Sequence, residues 1–363
     1  MLTTLLLITL LLAAANGAND NIKGAATLLG SGVANYRHAI TLATLATAAG
    51  GAASIYFAHG LLVAFSGKGI VPQDIAASAP FLGSVGLAAA VTVGIATRFG
   101  MPISTTHALL GGLTGAGFGA AASNVHIGVA FKEMLLPLLV SPAIALVLAL
   151  GVVPLVRRIR ARTTHAKACA CIDVPAVAVG ETLAVTSTAV TLGTTDQPAC
   201  APGAGRRVLA VDTARIADRL HLVSAAAVSF ARGLNDTPKI AALSAATGML
   251  GASSATALVI VAMAIGGYVS ARRVADTMAF GITRMDLGQG LGANLVTSVL
   301  VIGASRFGMP VSTTHVTSGA LFGVAASGRG GHSAVIRNVV LAWLLTLPIA
   351  AVVACLTYLL FTR

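Results

Sequence analysis

The chain of 363 residues is 56% hydrophobic and only 9% charged, whereas about a quarter of the residues in a soluble domain are charged. This composition excludes an ordinary soluble enzyme or binding module and indicates a polytopic membrane protein. The formal net charge is +12. We interpret this excess of basic residues as a sign of membrane topology and of contact with anionic lipid headgroups, because no basic–aromatic pattern points to nucleic acid.

Apolar runs of suitable length to cross roughly 30 Å of hydrocarbon follow one another along the chain. The longer runs are 38–66, 78–98, 134–155, 208–231, 254–271, 289–305 and 335–361, and the shorter are 1–15, 106–122, 237–252 and 314–327. They predict an all-α polytopic fold with about ten to twelve helical membrane elements. The first run lacks the basic region of a signal peptide, so we expect it to be the first membrane helix.

Residues 156–207 form a basic linker between two halves, which we predict to be transmembrane repeats at 1–155 and 208–363. Nine of the 23 Lys and Arg residues lie between 157 and 219. The positive-inside rule therefore predicts a cytoplasmic linker in a protein of the cell (inner) membrane.

Three of the four cysteines, Cys169, Cys171 and Cys200, lie in this linker. Disulfides are not expected in a reducing compartment. Together with His165 the cysteines could hold a thiophilic metal or sense redox state, but their spacing is a weak metal pattern and favours ordinary thiols.

Two polar motifs occur once in each half, in the same order. The sequence ATRFGMPISTTH at 96–107 recurs as ASRFGMPVSTTH at 304–315, with ten of twelve positions identical. The segment 15–26, which contains GANDNIK, likewise aligns with 231–242, which contains GLNDTPK. A polar signature present twice in apolar sequence predicts one binding site assembled from two related repeats.

The motifs also predict where helices break. Pro102 and Pro310 are expected to end one helix, because proline lacks an N–H and clashes with the preceding turn. Ser104 or Thr105, and their counterparts in the second half, are expected to cap the helix that follows. Each pair of elements then forms a helix–break–helix hairpin that dips into the membrane.

Asp20 and Asp236 are unusual acidic residues, since each lies at a matched position in an apolar run. A charged side chain at the bilayer centre costs roughly 2.5–3.5 kcal/mol on the insertion scale, so such residues are functional candidates. With the adjacent Asn19 and Asn235 they offer hard oxygen ligands to a cation such as Na⁺. The same carboxylates could instead carry a proton, and the sequence does not separate the two.

Lys23 and Lys239 each lie one helical turn after an acidic residue, and either neutralise it or face an anion. Gln289 and Asn294, on a glycine-rich helix, are expected as accessory ligands or as helix–helix contacts.

The two Ser-Thr-Thr triplets predict an anion site. Their hydroxyls both donate and accept hydrogen bonds, at helix N-termini where unpaired N–H groups and the helix dipole favour an oxyanion. The triplets are Ser104, Thr105, Thr106 and Ser312, Thr313, Thr314. The histidines that follow, His107 and His315, could titrate or form local structural hydrogen bonds.

These motifs resemble those of the inorganic phosphate transporter (PiT) family of membrane symporters. GAND at 17–20 and GLND at 233–236 resemble the duplicated signature of that family, and both Pro-x-Ser-Thr-Thr-His elements fit its second repeated motif. The chain departs from the family by placing Lys23 and Lys239 where many relatives have an amide or a small residue.

The resemblance implies two inverted-topology repeats with alternating access and import of inorganic phosphate coupled to a monovalent cation, Na⁺ or H⁺. It assigns phosphate to the two Ser-Thr-Thr triplets and the cation to Asn19, Asp20, Asn235 and Asp236. No cofactor or metal beyond Na⁺ is implied. A homodimer is a possible oligomeric state that the sequence does not decide. A sulfate or other oxyanion permease of the same fold is the alternative.

Two other classes of protein are weighed against a transporter. A membrane-embedded hydrolase would use Ser104 or Ser312 with a histidine, but a nucleophile needs one activated serine and gains nothing from a second copy. We therefore expect no enzyme activity. A passive anion channel would conduct without a cation dependence.

Overall fold

The computed structural model describes residues 1–121, 125–164, 168–173, 190–194, 206–211, 213–248, 250–328 and 330–363. The described chain is nearly all helical, as predicted. In the first half the helices are α1 Leu2–Asp20, α2 Ala26–Gly30, α3 Tyr36–Phe57, α4 His59–Ala64, α5 Gln73–Ala76, α6 Ala79–Arg98, α7 Thr105–Ala121, α8 Ile127–Val129 and α9 Leu136–Thr164. In the second half they are α10 Thr213–Ala245, α11 Ala252–Ser270, α12 Arg272–Asp276, α13 Leu287–Arg306, α14 Thr313–Ser327 and α15 Ser333–Phe361.

Seven described segments are long and apolar enough to cross a membrane: Leu2–Asp20, Tyr36–Phe57, Ala79–Arg98, Ile127–Ala161, Ala252–Ser270, Leu287–Arg306 and Ser333–Phe361. The fourth includes a π-helical turn, Ala130–Leu135, that leads into α9. With α7, α10 and α14, ten described helices have 15 or more residues. The protein is therefore a multi-pass membrane protein, and the number of long helices agrees with the predicted ten to twelve elements.

Helix α10 differs from the sequence prediction. The runs 208–231 and 237–252 were expected to be separate elements, but one helix of 33 residues extends from Thr213 to Ala245 with Pro238 inside it. Proline is tolerated within membrane helices where neighbouring groups replace the lost backbone hydrogen bond. In the first half the corresponding helix α1 ends at Asp20, and α2 begins after a turn.

Matched glycines end the helices that precede the two breaks. Gly100 and Gly308 have φ angles of 67° and 68°, which favour glycine. The N–H of Met101 donates to the Ala96 carbonyl at 2.9 Å, the hydrogen bond of a Schellman motif. The glycine thus ends the helix, and the proline expected to do so lies two residues later. Residues 101–104 and 309–312 are not helical.

The long helices pack in reciprocal pairs across the two halves. Helix α1 packs on α11 and α10 packs on α3, while α7 packs on α15 and α14 packs on α9. The close pairs need glycine, because a Cβ at Gly17 would overlap the Met263 carbonyl and one at Gly233 would overlap the Thr47 carbonyl. Gly17 and Gly233 occupy matched positions of the repeated segment, which brings the same part of each half to the centre.

The predicted linker has structure of its own. Helix α9 continues to Thr164 and α10 begins at Thr213. Between them lie three antiparallel strands in the order β2-β1-β3: β1 Ala168–Asp173, β2 Val190–Thr194 and β3 Arg206–Val211. This small sheet departs from an all-α fold. Cys169 and Cys171 lie in β1, whereas Cys200 and His165 lie outside the described residues.

Candidate functional site

The two repeated aspartates lie deep inside the protein. Asp20 is the last residue of α1 and Asp236 lies within α10, and their relative exposures are 1% and 2%. Each forms an ion pair with the lysine three residues later, Asp20 with Lys23 and Asp236 with Lys239. Both lysines are only 1% exposed. These pairs are therefore isolated from solvent. In such a buried environment a charge without a partner is strongly unfavourable.

The carboxylate of Asp20 also contacts the first Ser-Thr-Thr triplet. Its Oδ2 atom accepts hydrogen bonds from Asn16 Nδ2 at 3.1 Å and from the Thr105 hydroxyl at 3.4 Å. The same Asn16 amide donates to Thr105 Oγ1 at 2.9 Å. The end of α1 and the start of α7 are thus joined through one carboxylate.

Asp236 makes the corresponding contacts in the second half. Its Oδ2 accepts from the Thr313 hydroxyl at 3.4 Å, and its Oδ1 accepts from Asn235 Nδ2 at 3.0 Å and from Lys239 Nζ at 3.4 Å. Thr105 and Thr313 are matched residues of the repeat. Each aspartate therefore borders the triplet of its own half.

The repeated asparagines hold the helix breaks in place. Asn19 Nδ2 donates to Thr97 Oγ1 at 2.9 Å and to the Met101 carbonyl at 3.0 Å. Asn235 Nδ2 donates to the Val311 carbonyl at 3.1 Å. Because these amides bond to backbone in both breaks, they position the segments that lead into α7 and α14.

Ser104 and Ser312 cap the helices after the breaks. Ser104 Oγ accepts from the His107 N–H at 3.1 Å, and Ser312 Oγ accepts from the His315 N–H at 3.2 Å. The prediction that a triplet hydroxyl caps each helix is confirmed, with serine rather than threonine in that role. The threonine hydroxyls instead donate to the aspartates, at Thr105 and Thr313, or to backbone carbonyls, at Thr106 and Thr314.

The two capped N-termini lie against each other. The Thr106 hydroxyl donates to the Val311 carbonyl at 3.4 Å, and the Thr314 hydroxyl donates to the Ile103 carbonyl at 2.7 Å. Each triplet therefore contacts the break of the other half. Because both positive helix ends point into one region, the junction favours negative charge.

Arg232 is a site residue that the sequence analysis missed. It is 1% exposed and lies at the position of α10 that matches Asn16 in the first half. Its Nη2 donates to Asn16 Oδ1, its Nη1 donates to Asn21 Oδ1 at 3.1 Å, and its Nε lies 3.6 Å from Asp236 Oδ2. The arginine thus joins α10 to the end of α1.

The buried cluster has one more positive than negative formal charge. Lys23, Arg232 and Lys239 supply three cations against the two carboxylates of Asp20 and Asp236, and these five are the buried Lys, Arg, Asp and Glu residues of the described chain. An uncompensated buried charge is costly. An anion is the partner that such a cluster lacks, and triplet hydroxyls and helix N-termini are suitable donors for an oxyanion.

Gln289 and Asn294 do not join this cluster. Gln289 forms a capping box with Asp286 at the start of α13. Asn294 accepts from the Thr27 hydroxyl at 3.1 Å and donates to Ser224 Oγ at 3.1 Å, which is the helix–helix contact weighed from the sequence. Within the described residues, no three His, Cys, Asp or Glu side chains are grouped to hold a metal ion.

Comparisons with known proteins identify the family of this chain. The sequence model of the phosphate transporter family matches residues 16–354. A "Probable low-affinity inorganic phosphate transporter" of Rhizobium meliloti (strain 1021) is 29% identical over 356 residues, which cover 94% of this chain and 91% of the relative. A protein of the same name from Bacillus subtilis (strain 168) is 25% identical over 363 residues, which cover 94% of this chain and 92% of the relative.

A solved structure, "The sodium-dependent phosphate transporter", has the same fold. It superposes with a TM-score of 0.75 at 21% sequence identity and covers 99% of this chain and 98% of its own. The family match extends over nearly the whole sequence and confirms the resemblance drawn from the repeated motifs. The protein therefore belongs to the phosphate transporter family, a family of membrane transport proteins and not of enzymes.

Proposed function

We propose that this protein imports inorganic phosphate across the cell membrane by symport with a monovalent cation, Na⁺ or H⁺. The observation that carries the proposal is the buried cluster, with its excess positive charge, where the N-termini of α7 and α14 meet. Phosphate binds the two Ser-Thr-Thr triplets. Asn19, Asp20, Asn235 and Asp236 serve the coupling cation.

The borders of the anion site favour phosphate over sulfate. Asp20 and Asp236 each lie 3.4 Å from a triplet hydroxyl, at Thr105 and Thr313. A carboxylate can accept the proton of hydrogen phosphate or dihydrogen phosphate, whereas sulfate has no proton to donate and is repelled. The named substrate of the relatives agrees with this choice.

The electrical cost of import supports coupling to a cation. Moving one charge against 100 mV costs about 2.3 kcal/mol, so a dianion costs about 4.6 kcal/mol before any concentration term. Two monovalent cations cancel that cost. A passive channel could not concentrate phosphate against such a potential.

Alternating access follows from two repeats that move against each other around a fixed site. Two features support repeats of inverted topology at 1–155 and 208–363: the reciprocal packing of the long helices, and the contact of each triplet with the break of the other half.

The basic linker lies on the cytoplasmic side. A membrane-impermeant maleimide should therefore label Cys169 and Cys171 in inside-out but not right-side-out vesicles.

Uptake of labelled phosphate into proteoliposomes tests the function. Na⁺ and pH gradients are imposed separately, and unlabelled sulfate is added as a competitor. Concentrative uptake that needs one of the gradients and resists sulfate supports phosphate symport. Uptake without a gradient dependence would identify a channel, and strong competition by sulfate would identify a broader oxyanion permease.

A further inference from the structure

The ammonium group of Lys23 lies in a cage of oxygen atoms. Its Nζ donates to Asn19 Oδ1 at 2.9 Å, to the Ile103 carbonyl at 3.0 Å and to Thr314 Oγ1 at 2.5 Å, and it pairs with Asp20 Oδ1. A carboxylate, an amide oxygen, a backbone carbonyl and a hydroxyl are the hard ligands that a cation such as Na⁺ prefers. Asn19 and Asp20 belong to α1, whereas Ile103 lies in the first break and Thr314 in the first turn of α14.

Lys239 occupies a matching cage. Its Nζ donates to the Val311 carbonyl at 2.8 Å, to Thr106 Oγ1 at 2.9 Å and to Asp236 Oδ1 at 3.4 Å. Val311 is the repeat counterpart of Ile103, and Thr106 is the counterpart of Thr314. The same three kinds of oxygen therefore surround both lysines.

Both cages are filled. An ammonium group has three N–H donors, and each lysine here has three or four oxygen neighbours at hydrogen-bonding distance. Each lysine is also 1% exposed. A free cation could enter only by displacing an ammonium whose residue lies three positions from its carboxylate along the chain, so the displaced positive charge would stay close to the buried cage.

We propose that Lys23 and Lys239 are resident cations that take the place of Na⁺ at the two cages, so that this transporter works without Na⁺. The inference rests on the proposed function and selects between its two coupling ions. A proton needs no room in either cage, because it binds to an oxygen that is already there, on an aspartate or on the phosphate. The lysines stay with the protein through the cycle.

Wild-type uptake provides the direct test. Labelled phosphate uptake is measured with an imposed pH gradient in NaCl or in choline chloride. We expect the two rates to agree within about twofold, well below the 5- to 150-fold effect of a typical coupled ligand. Uptake that rises with a Na⁺ gradient would overturn this inference while leaving phosphate symport intact, whereas no uptake under any gradient would overturn the proposed function itself.

Variants that empty a cage should acquire a response to Na⁺. In Lys23→Ala and in Lys239→Ala the oxygens lose their resident cation, so Na⁺ should raise uptake by about tenfold over choline, within the usual range of coupling. Lys23→Gln removes the charge but keeps a polar side chain that is one atom shorter, and it serves as a second variant if the alanine forms fail to fold. Lys132→Ala, at an exposed lysine of the π-helical turn before α9, is the matched control and should ignore Na⁺.

Binding can be measured without transport. Trp343 is the single tryptophan of the chain, and its ring centroid lies 3.9 Å from that of His315, next to Thr314. Titration with NaCl should leave the fluorescence of the folded wild type unchanged and should alter that of Lys23→Ala. A saturable Na⁺ response in the wild type would overturn the proposal.

Discussion

The imidazole rings of His107 and His315 stack with their centroids 4.5 Å apart and their planes at 22°. Each histidine lies in the first turn of its helix, so the stack fixes the N-termini of α7 and α14 side by side. The Trp343 ring of α15 packs on His315 with its plane tilted by 39°, and its Nε1 donates to the Pro102 carbonyl at 3.2 Å. The pair thus serves to pack the junction of the two halves.

A ring at position 107 should suffice for this packing. The Nδ1 atom of His107 is buried without a hydrogen-bond partner in the described structure, so His107→Phe should retain the stack and most of the uptake. His107→Ala should leave a cavity and lower the free energy of unfolding by about 3–5 kcal/mol, as in other truncations of large buried rings. Phosphate uptake and thermal unfolding in detergent measure the two effects. A phenylalanine variant that is folded but inactive would instead show that the imidazole acts in transport.

Asp20→Asn and Asp236→Asn should each abolish concentrative phosphate uptake. The substitution leaves a buried ammonium without its carboxylate, and breaking one partner of a buried ion pair costs about 3–5 kcal/mol. Gel-filtration profiles check that the variants fold. If a single variant is unstable, Asp20→Asn with Lys23→Met removes both charges and should fold without transporting. Normal uptake by either asparagine variant would remove that aspartate from the coupling site.

Arg232→Gln should weaken phosphate binding without preventing insertion into the membrane. It removes the charge that makes the buried cluster positive, while an amide can still bond to Asn16. A tenfold rise in the half-saturating phosphate concentration corresponds to about 1.4 kcal/mol, and we expect at least this much. Arg306→Gln is the control, because Arg306 is exposed and rests on the Phe57 ring. Equal effects of the two substitutions on the half-saturating phosphate concentration would show that Arg232 is not part of the anion site.

Ser104→Ala and Ser312→Ala should raise the half-saturating phosphate concentration. Each removes the hydroxyl that caps a helix, and loss of such a cap typically costs about 1 kcal/mol. The double variant should bind more weakly than either single variant, because both helix N-termini border one site. Dose–response curves of uptake measure this effect. Unchanged curves for both single variants would exclude these hydroxyls from phosphate binding.

Gly17→Ala should destabilise the protein. The added Cβ would overlap the backbone carbonyl of Met263 in α11, and overpacking of this kind costs about 1–3 kcal/mol. The matched control is Gly94→Ala in α6, where a Cβ meets no atom within 4 Å and should stabilise the helix by about 0.5–1 kcal/mol. Thermal unfolding in detergent should therefore shift in opposite directions for the two variants.

Duplication made much of the site predictable from sequence. Asp20, Lys23 and the Ser-Thr-Thr triplet each recur in the second half, and a polar residue kept twice in apolar sequence has few structural explanations. The structure brings these residues together. Gln289 and Asn294 lie apart from them. Each of these amides occurs in one copy only, and such an amide is explained equally well by a helix cap or by a helix–helix contact.

Residues without a counterpart were harder to predict. Arg232 matches Asn16, so the comparison of the halves passes over it, although a charged residue within a membrane helix is itself a signal. The continuity of α10 was missed for a different reason. Pro238 predicts a break by local rules, and only packing inside the protein lets the helix continue through it.

The reach of each lysine across the molecule has a consequence for the origin of the chain. Lys23 bonds to Thr314 and Lys239 bonds to Thr106, so a half produced alone would leave an ammonium group in hydrocarbon without its distant hydroxyl. An ancestral gene that encoded one half would have had to yield a paired complex of identical subunits. A fused chain keeps the pairing and also allows matched positions to differ, as Asn16 and Arg232 do.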